Sequence, residues 1–322
     1  MYKFGVKFDS QTVSYKRRVV PLYENSKCFE EYDDSKQYDL VLTDDLNILV
    51  PKNTLKVFYQ SNDLLSYPVE WVRPLYKPLG YFKKLIRFLR LHRQLSCFDS
   101  VITASHLQAR SYGKIIRDVF YKLDPVVSEV LIQGCSAVTC PHSIDVAIEC
   151  SGLNVNSILC NQEFVEAINF MQDVKLHVVI DDCELPRSFR NRMVHSRLKS
   201  TFGSKVVLYD WSKENVAKVI TLCGVGVVPV DSQCAFAANK PENRATIMLK
   251  NGLPVVLTPT VAHLNLSRVC GTAYAVTKSQ WVNAIKASIH VAVNPSEFDF
   301  GEQEFARSIE EICNQIVGTH DR

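Results

Sequence analysis

The stretch ANKPENRATIMLKNGLPVVLTPT, residues 238–260, decides which fold this sequence predicts. It follows an apolar run at residues 226–230 that is typical of a buried strand. Pro241 suits the first turn of a helix and Gly252 suits the residue that ends one, so a helix is predicted between them. The apolar run at residues 254–257 then predicts another strand. A strand, a helix and a strand in this order are typical of a parallel α/β unit.

The same alternation of strands and helices extends along both halves of the chain. Apolar runs bounded by polar residues predict strands at residues 4–8, 39–43, 56–59 and 100–104, and at 175–180, 205–209, 226–230, 254–257 and 273–276. Helical periodicity predicts helices at residues 185–199, 213–222, 241–250, 278–290 and 302–317. This order implies parallel sheets joined by right-handed crossovers.

The length of 322 residues favours two domains, because a single hydrophobic core rarely grows beyond about 250 to 300 residues. We therefore predict an α/β fold with two doubly wound, Rossmann-like domains that face a cleft, at residues 1–150 and 151–322. The last helix is able to pack back on the first domain. Ligands of parallel sheets bind at the carboxyl ends of the strands, which would line the cleft.

Composition excludes several other classes of protein. With 47% hydrophobic residues, 22% charged residues and a net charge of +3, the chain is an ordinary globular protein. No apolar run approaches the roughly 18 to 20 residues that cross a bilayer, and MYKFGVKFDS lacks the apolar core of a signal peptide, so we expect a cytoplasmic protein. Eleven scattered cysteines without a C-x-x-C pair indicate reduced thiols, and no metal site is predicted.

The segment YKPLGYFKKLIRFLRLHR, residues 76–93, predicts a basic amphipathic helix. Its cationic arc contains Lys83, Lys84, Arg87 and Arg90, and its apolar arc contains Phe82, Leu85, Ile86 and Leu89. The cationic arc suits peripheral contact with an anionic membrane surface, here the inner face of the membrane. Two alternatives stay open: the helix follows a nucleic-acid backbone, or it is a solvated helix whose apolar arc covers the first sheet.

The start of the helix near Pro241 is the first candidate binding site. Its free backbone N–H groups and the positive end of the helix dipole suit a phosphate group. Lys240 and Arg244 at the same end would add charge-assisted hydrogen bonds, so the segment predicts a cradle for a diphosphate. The alternative is an ordinary structural helix start, since basic residues at such positions are common in α/β proteins.

These residues resemble a motif of a known family. The segments KPENR and GLPVV look like the C-terminal nucleotide-sugar motif of the GT-B glycosyltransferases, written K-S-x-N-R-x(7)-G-x-P-V-V. Four further segments resemble other parts of that family in the same order along the chain: SYKRRVVPL at residues 14–22, SVITASHLQARSY at 100–112, CPHSID at 140–145 and KVVLYDWSKENVAKVITLCGVGVVPVD at 205–231. The resemblance therefore touches both predicted domains.

The resemblance implies a glycosyltransferase that moves a sugar, such as a hexose, from a nucleotide-diphosphate donor to a cell-surface glycan or lipid-linked acceptor. The first domain would bind the acceptor and the second would bind the nucleotide sugar. Carried onto this sequence, the residues implied at the donor site are Lys240, Glu242, Asn243, Arg244, Thr258 and His142, with Asp145 also at the cleft. The E-x(7)-E signature of retaining members is absent, because Asn239 and Ile247 occupy its positions. Retention or inversion therefore stays open. The glycine-rich loop that often begins the C-terminal domain is also missing, which leaves open how the donor is bound near residues 155–165.

The implied chemistry needs charge stabilisation and a base. Departure of a nucleoside diphosphate builds negative charge, which Lys240 and Arg244 would stabilise without a metal and without a cofactor beyond the donor itself. An inverting route needs a general base from the first domain. The candidates are Asp63, which we favour, and Asp45 or Asp44.

Alternatives stay open for single residues and for the function. Arg17 and Arg18 are expected to bind the acceptor or a phosphate, or else to be solvated surface arginines. Asp63 suits a helix N-cap as well as a base, and His142 suits a packing residue as well as a donor contact. The chain is a transferase for a surface glycan, a GT-B transferase that acts on DNA, or a non-catalytic nucleotide-sugar-binding protein.

Overall fold

The computed structural model describes residues 2–8, 18–60, 68–122, 144–150, 152–180, 194–240, 243–264, 266, 270–295 and 301–320. The chain divides into two compact units. The first contains Met1–Tyr67, Phe82–Val127 and Asp299–Arg322, and the second contains Pro68–Tyr81 and Ser128–Phe298. Each unit is built on one parallel sheet of six strands. The predicted fold class, two α/β domains with parallel sheets, is therefore confirmed.

The division differs from the expected boundary between residues 150 and 151. The strand Ile144–Cys150 precedes that boundary, yet it pairs with Val174–Ile180 and Val225–Val228 in the second sheet. Its residues Val146 and Ile148 are buried in the core of the second unit, which explains where the strand belongs.

The strands of the first sheet are β1 (Phe4–Lys7), β2 (Phe29–Glu31), β3 (Leu40–Thr43), β4 (Leu55–Tyr59), β5 (Ser100–Thr103) and β6 (Asp118–Tyr121). The strands of the second sheet are β7 (Ile144–Cys150), β8 (Val174–Ile180), β9 (Val206–Asp210), β10 (Val225–Val228), β11 (Val255–Leu257) and β12 (Thr272–Tyr274). The sheet orders are β2-β1-β3-β4-β5-β6 and β12-β11-β10-β7-β8-β9. Strands β3 and β5 are buried along their whole length, as expected for parallel strands that are covered on both faces.

Helices connect most of these strands. In chain order they are α1 (Val20–Asn25), α2 (Lys77–Leu95), α3 (His106–Tyr112), α4 (Val155–Cys160), α5 (Gln162–Phe170), α6 (Val194–Phe202), α7 (Lys213–Leu222), α8 (Ala235–Ala238), α9 (Asn243–Lys250), α10 (Val261–Leu264), α11 (Lys278–Ser288) and α12 (Glu302–His320). Ser212 caps α7, and Thr277 with Gln280 forms a capping box at α11. Gly252, with φ of 80°, follows the end of α9 in the left-handed conformation that glycine tolerates.

The two cores explain where the terminal elements lie. In the first unit, α12 contributes Phe305 and Ile309 to the core that contains Val6 and Leu42. In the second unit, the rings of Phe164 and Trp281 meet edge to face with centroids 5.0 Å apart. Each sheet therefore has its own apolar core.

Helix α2 keeps most of its apolar arc in solvent. Leu91 and Leu95 are buried in a core of the first unit, whereas four apolar residues nearer its start are exposed: Phe82, Leu85, Ile86 and Leu89. The arc therefore does not cover the first sheet, whereas the C-terminal end of the helix packs against that sheet through Leu91 and Leu95. Among the described residues, no helix has both the length and the hydropathy that a bilayer span requires.

The substitution Ile309→Ala tests the packing of α12. Ile309 is fully buried, so its truncation leaves a cavity, and we expect the free energy of unfolding to fall by about 2 to 4 kcal/mol. Urea denaturation measures this change. The control is Asn314→Ala on an exposed face of the same helix, which is expected to change it by less than about 0.5 kcal/mol. Equal effects of both substitutions would contradict the packing described.

Candidate functional site

A cavity of about 650 Å³ lies in the second unit, at the carboxyl ends of three neighbouring strands. Val230 and Asp231 follow β10, Thr258 follows β11, and Val276 follows β12; all four line the cavity. Ligands of parallel α/β sheets bind at this edge. The volume falls within the range of about 300 to 1,000 Å³ that is usual for small-molecule sites.

Thr258 joins the loops that form one wall of this cavity. Its Oγ1 accepts a hydrogen bond from the backbone N–H of Val230 at 2.9 Å and another from Asn161 Nδ2 at 3.2 Å. The same Asn161 side chain accepts from the backbone N–H of Phe164 and so caps helix α5. The loops after β10 and β11 and the start of α5 are therefore held together by hydrogen bonds.

His263 holds Thr258 from the other side. Its Nδ1 lies 2.7 Å from the carbonyl oxygen of Thr258, which can only accept, so Nδ1 carries the proton. Burial lowers the pKa of His263 to about 4, an effect that the Thr258 hydrogen bond opposes and the nearby charge of Arg244 reinforces. The imidazole is therefore neutral at pH 7 and serves as a fixed hydrogen-bond donor.

Lys240 does not line the cavity, but two contacts link it to the segments around the cavity. Its Nζ donates to Asn154 Oδ1 and lies 4.5 Å from the centroid of the Phe236 ring. That ring meets Trp71 edge to face, and Trp71 donates to the cavity residue Asp231. Both the hydrogen bond and the cation–π contact restrict the ammonium group to one position.

Arg197 on α6 supplies a second cation that the sequence analysis did not identify. Its Nη1 donates to Asn156 Oδ1 at 2.6 Å, and its charge interacts with Cys160, which lines the cavity. Burial lowers the pKa of the Arg197 guanidinium, although it stays charged at neutral pH. Both Asn156 and Asn154 come from the segment after β7, so this segment positions both cations.

Carboxylates line other parts of the cavity. Asp231 accepts from Trp71 Nε1 at 2.9 Å and from the backbone N–H of Gln233 at 3.1 Å. Glu163 accepts from the backbone N–H of Lys278 at 2.6 Å. Such fixed carboxylates accept hydrogen bonds from hydroxyl groups. Within the described part of the chain, three or more carboxylate, thiol or imidazole groups do not converge as they do around a metal ion.

The residues implied at the donor site lie in different places. Thr258 lines the cavity, whereas Lys240 does not. Asn243 and Arg244 begin α9 instead, and neither lines this cavity; Arg244 lines a smaller one with Met248. His142 and Glu242 lie outside the described residues, as does Pro241.

The candidates in the first unit are partly described. Arg18 is buried, its guanidinium donates to the carbonyl oxygen of Gln60, and it lies 4.8 Å from the centroid of the Tyr59 ring. A solvated surface arginine is therefore not what the structure shows. Asp45 is exposed, and its Oδ1 accepts from the backbone N–H of Asn47 in the turn after β3. Arg17 and Asp63 lie outside the described residues.

Asp145 lies in a buried hydrogen-bonded network on the second sheet. His177 Nε2 is 2.8 Å from Asp145 Oδ1, and His177 Nδ1 is 3.0 Å from the hydroxyl of Tyr209. The three side chains come from the neighbouring strands β7, β8 and β9. The network satisfies buried polar groups, and none of its members lines the 650 Å³ cavity.

The fold of this chain is similar to that of solved sugar transferases. No family model matches the sequence, and no curated protein matches it. The arrangement of two six-stranded parallel sheets matches the GT-B fold of solved glycosyltransferases. The resemblance found in the sequence is therefore confirmed at the level of the fold.

Three solved structures illustrate the likeness. The chain is similar to Anabaena HepE in complex with UDP and glucose, with a TM-score of 0.60 and 10% identity over 100% of both chains. It is similar to AviGT4, a glycosyltransferase involved in avilamycin A biosynthesis, with a TM-score of 0.59 and 8% identity over 99% of this chain and 98% of that one. It is also similar to WaaG, a glycosyltransferase involved in lipopolysaccharide biosynthesis, with a TM-score of 0.54 and 10% identity over 96% and 94%.

The neutral His263 predicts a loss of stability in acid. Its pKa of about 4 in the folded protein lies below the ordinary value of about 6.5, so the unfolded chain binds the proton first as the pH falls. The contribution of neutral His263 to the free energy of unfolding is fully present above about pH 6.5, and about 3 kcal/mol of it is lost by pH 4. His263→Gln should flatten this part of the stability profile, measured by urea denaturation between pH 4 and 7, whereas the exposed control His290→Gln should not. Parallel profiles for the wild type and His263→Gln would contradict the assignment.

Proposed function

We propose that this protein is a glycosyltransferase that moves a sugar from a nucleotide-diphosphate donor to a cell-surface glycan or a lipid-linked acceptor. The cavity at the carboxyl edge of the second sheet carries the proposal, because it lies in a fold that glycosyltransferases share. HepE was solved with UDP-glucose, and WaaG is involved in lipopolysaccharide biosynthesis. HepE supports a nucleotide-sugar donor, and WaaG supports a surface glycan.

The second unit binds the donor in this proposal. Lys240 and Arg197 attract the diphosphate, and each is positioned by an asparagine amide, a neutral group whose hydrogen bond does not cancel the charge. Asp231 and Glu163 accept hydrogen bonds from the hydroxyl groups of the ribose or the sugar. Thr258 keeps the loops at this edge of the sheet in place.

The proposed reaction needs no metal ion and no cofactor other than the donor. Departure of the nucleoside diphosphate places growing negative charge on its β-phosphate. Fixed cations stabilise that charge more strongly in a partly buried site than in water, because the local dielectric constant is lower. The guanidinium of Arg197 is partly buried, and its hydrogen bond to Asn156 directs it.

The first unit supplies the acceptor site and the base. On an inverting route the acceptor hydroxyl loses a proton to a general base. We propose Asp63 for this role, because it follows the carboxyl end of β4, where Arg18 already binds Gln60. Asp45 is the second candidate, although one of its carboxylate oxygens already binds the turn after β3.

Helix α2 carries the proposed membrane contact. Leu85 and Leu89 expose 54% and 59% of their surface, and the cationic arc defined in the sequence lies beside them. An unpartnered apolar surface next to basic side chains suits an anionic lipid surface better than a nucleic-acid backbone, which needs the cations alone. We propose that α2 rests on the inner membrane face, where a lipid-linked acceptor is presented.

Substitution of the two cations tests donor binding. We expect Lys240→Ala and Arg197→Ala each to weaken the binding of a nucleoside diphosphate by about 1 to 3 kcal/mol, the usual loss for a charged hydrogen bond. Calorimetric titration with UDP, GDP, ADP and CDP measures it, and Lys199→Ala, exposed on the same helix as Arg197, is the matched control.

Unchanged affinity in both variants would remove these cations from the donor site. Slow release of nucleoside diphosphate from a bound nucleotide sugar, with EDTA present, separates a transferase from a non-catalytic binding protein. Release that stops on addition of EDTA and returns with a divalent metal ion would contradict the proposed metal-independent route.

Vesicle flotation tests the membrane contact. The protein should bind vesicles that contain an anionic lipid, and Leu85→Glu with Leu89→Glu should reduce binding at least tenfold, because the apolar face is then charged. The control is Leu49→Glu, an exposed residue of the first unit outside α2. If these α2 substitutions leave vesicle binding unchanged but weaken binding to duplex DNA, the nucleic-acid alternative is favoured instead.

A further inference from the structure

One segment joins the second unit although its chain neighbours belong to the first. Pro68–Tyr81, named the strap here, belongs to the second unit, whereas Met1–Tyr67 and Phe82–Val127 belong to the first. Its folding onto the second unit is therefore set by its own contacts with that unit.

Trp71 anchors the strap. Its Nε1 donates to Asp231 Oδ2 at 2.9 Å, and its ring meets Phe236 edge to face with centroids 5.7 Å apart. Its neighbours Val69 and Val72 are buried as well. An indole with a satisfied N–H and buried neighbours fixes the backbone on both sides of it.

This anchoring places Glu70 at the cavity. Glu70, Lys77 and Tyr81 of the strap all line it. The thiol of Cys234 lies 3.4 Å from Glu70 Oε2, and burial raises the pKa of that thiol to about 12, so it stays protonated and donates. A thiol is a weak donor, so it orients the carboxylate and leaves most of its accepting capacity for a ligand.

The charges around Glu70 indicate what this wall of the cavity recognises. Glu70 shares the cavity with Asp231 and Glu163, whereas Lys77 is the cation of the strap in it. Carboxylates repel the oxygens of a phosphate but accept hydrogen bonds from neutral hydroxyl groups. The carboxylates of the cavity are therefore suited to the polyhydroxylated part of a ligand.

We propose that the strap selects the donor: Glu70 accepts hydrogen bonds from hydroxyl groups of the bound nucleotide sugar, and Trp71 positions Glu70. The proposal rests on the proposed function, since it assumes a nucleotide sugar in the cavity. A site that binds a hydroxyl group through a fixed acceptor discriminates strongly against an analogue that lacks it. Glu70 is thus a specificity-determining residue supplied from the first half of the sequence.

The test compares ligands with and without the hydroxyl groups. The probes are UDP, UDP-glucose, 2′,3′-dideoxy-UDP and UDP-2-deoxyglucose, with the matching GDP, ADP and CDP compounds if UDP does not bind. The wild type should prefer the hydroxylated member of one pair by about ten- to a hundredfold, the range for a hydrogen bond to a charged group. In Glu70→Gln this preference should fall towards one. The pair that responds shows whether the ribose or the transferred sugar contacts Glu70.

Trp71→Phe tests the positioning role. It keeps an aromatic ring against Phe236 but loses the hydrogen bond to Asp231, so the preference for the hydroxylated ligand should fall while thermal unfolding changes little. Gln94→Ala, on α2 outside the strap, is the control. If the wild type binds but Glu70→Gln keeps the full preference for every pair, the proposal about the strap is wrong while the proposed function stands. If no nucleotide or nucleotide sugar binds the wild type, the proposed function fails and the strap proposal with it.

Discussion

The hydrogen bonds around Thr258 fix the edge of the second sheet at which the cavity lies. One hydroxyl group binds the loop after β10 and the cap of α5, and the carbonyl oxygen of the same residue binds the imidazole of His263. Three separate parts of the chain therefore meet at one residue. Because loops at a sheet edge lose much conformational entropy when they become ordered, these bonds determine whether the cavity keeps its shape.

Both cations and carboxylates lie in this region. Lys240 and Arg197 are positioned by asparagine amides of the segment after β7, while Glu70, Glu163 and Asp231 line the cavity together with Lys77. The proposed nucleotide sugar needs both kinds of group, because it joins a charged diphosphate to neutral parts rich in hydroxyl groups. This chemical argument is more informative than the volume, because cavities of this size hold many kinds of ligand.

Apolar runs in the sequence predicted β1, β3, β4, β5 and β8 to β12, whereas β2, β6 and β7 were missed for physical reasons. Strand β2 has three residues, two of which are glutamates, and the residues of β6 are all only half-buried. Strand β7 carries Asp and Glu within an apolar run, since Asp145 binds His177 inside the protein. Hydrophobic periodicity identifies a strand when its buried residues are apolar. It therefore misses strands whose polar residues are buried and hydrogen-bonded.

The candidate site was predicted only where local sequence determines position. Thr258 directly follows a predicted strand, so its place at the cavity follows from the rule for parallel sheets. Arg197 and the strap reach the cavity region through packing between segments far apart in the chain, which no local pattern encodes. The sequence did predict the apolar arc of α2, but it did not predict that the arc is exposed. An amphipathic pattern is compatible with burial against protein and with exposure to the surroundings.

The network of Asp145, His177 and Tyr209 also limits how this sequence can diverge. Loss of His177, the middle member, removes one hydrogen bond from the buried Asp145 and one from Tyr209, which destabilises the fold more than replacement of the whole network by well-packed apolar side chains. Single changes at these positions are therefore disfavoured during evolution, and descendants are expected to keep all three residues or to exchange them jointly. The three positions on strands β7, β8 and β9 are thus expected to vary together among related sequences.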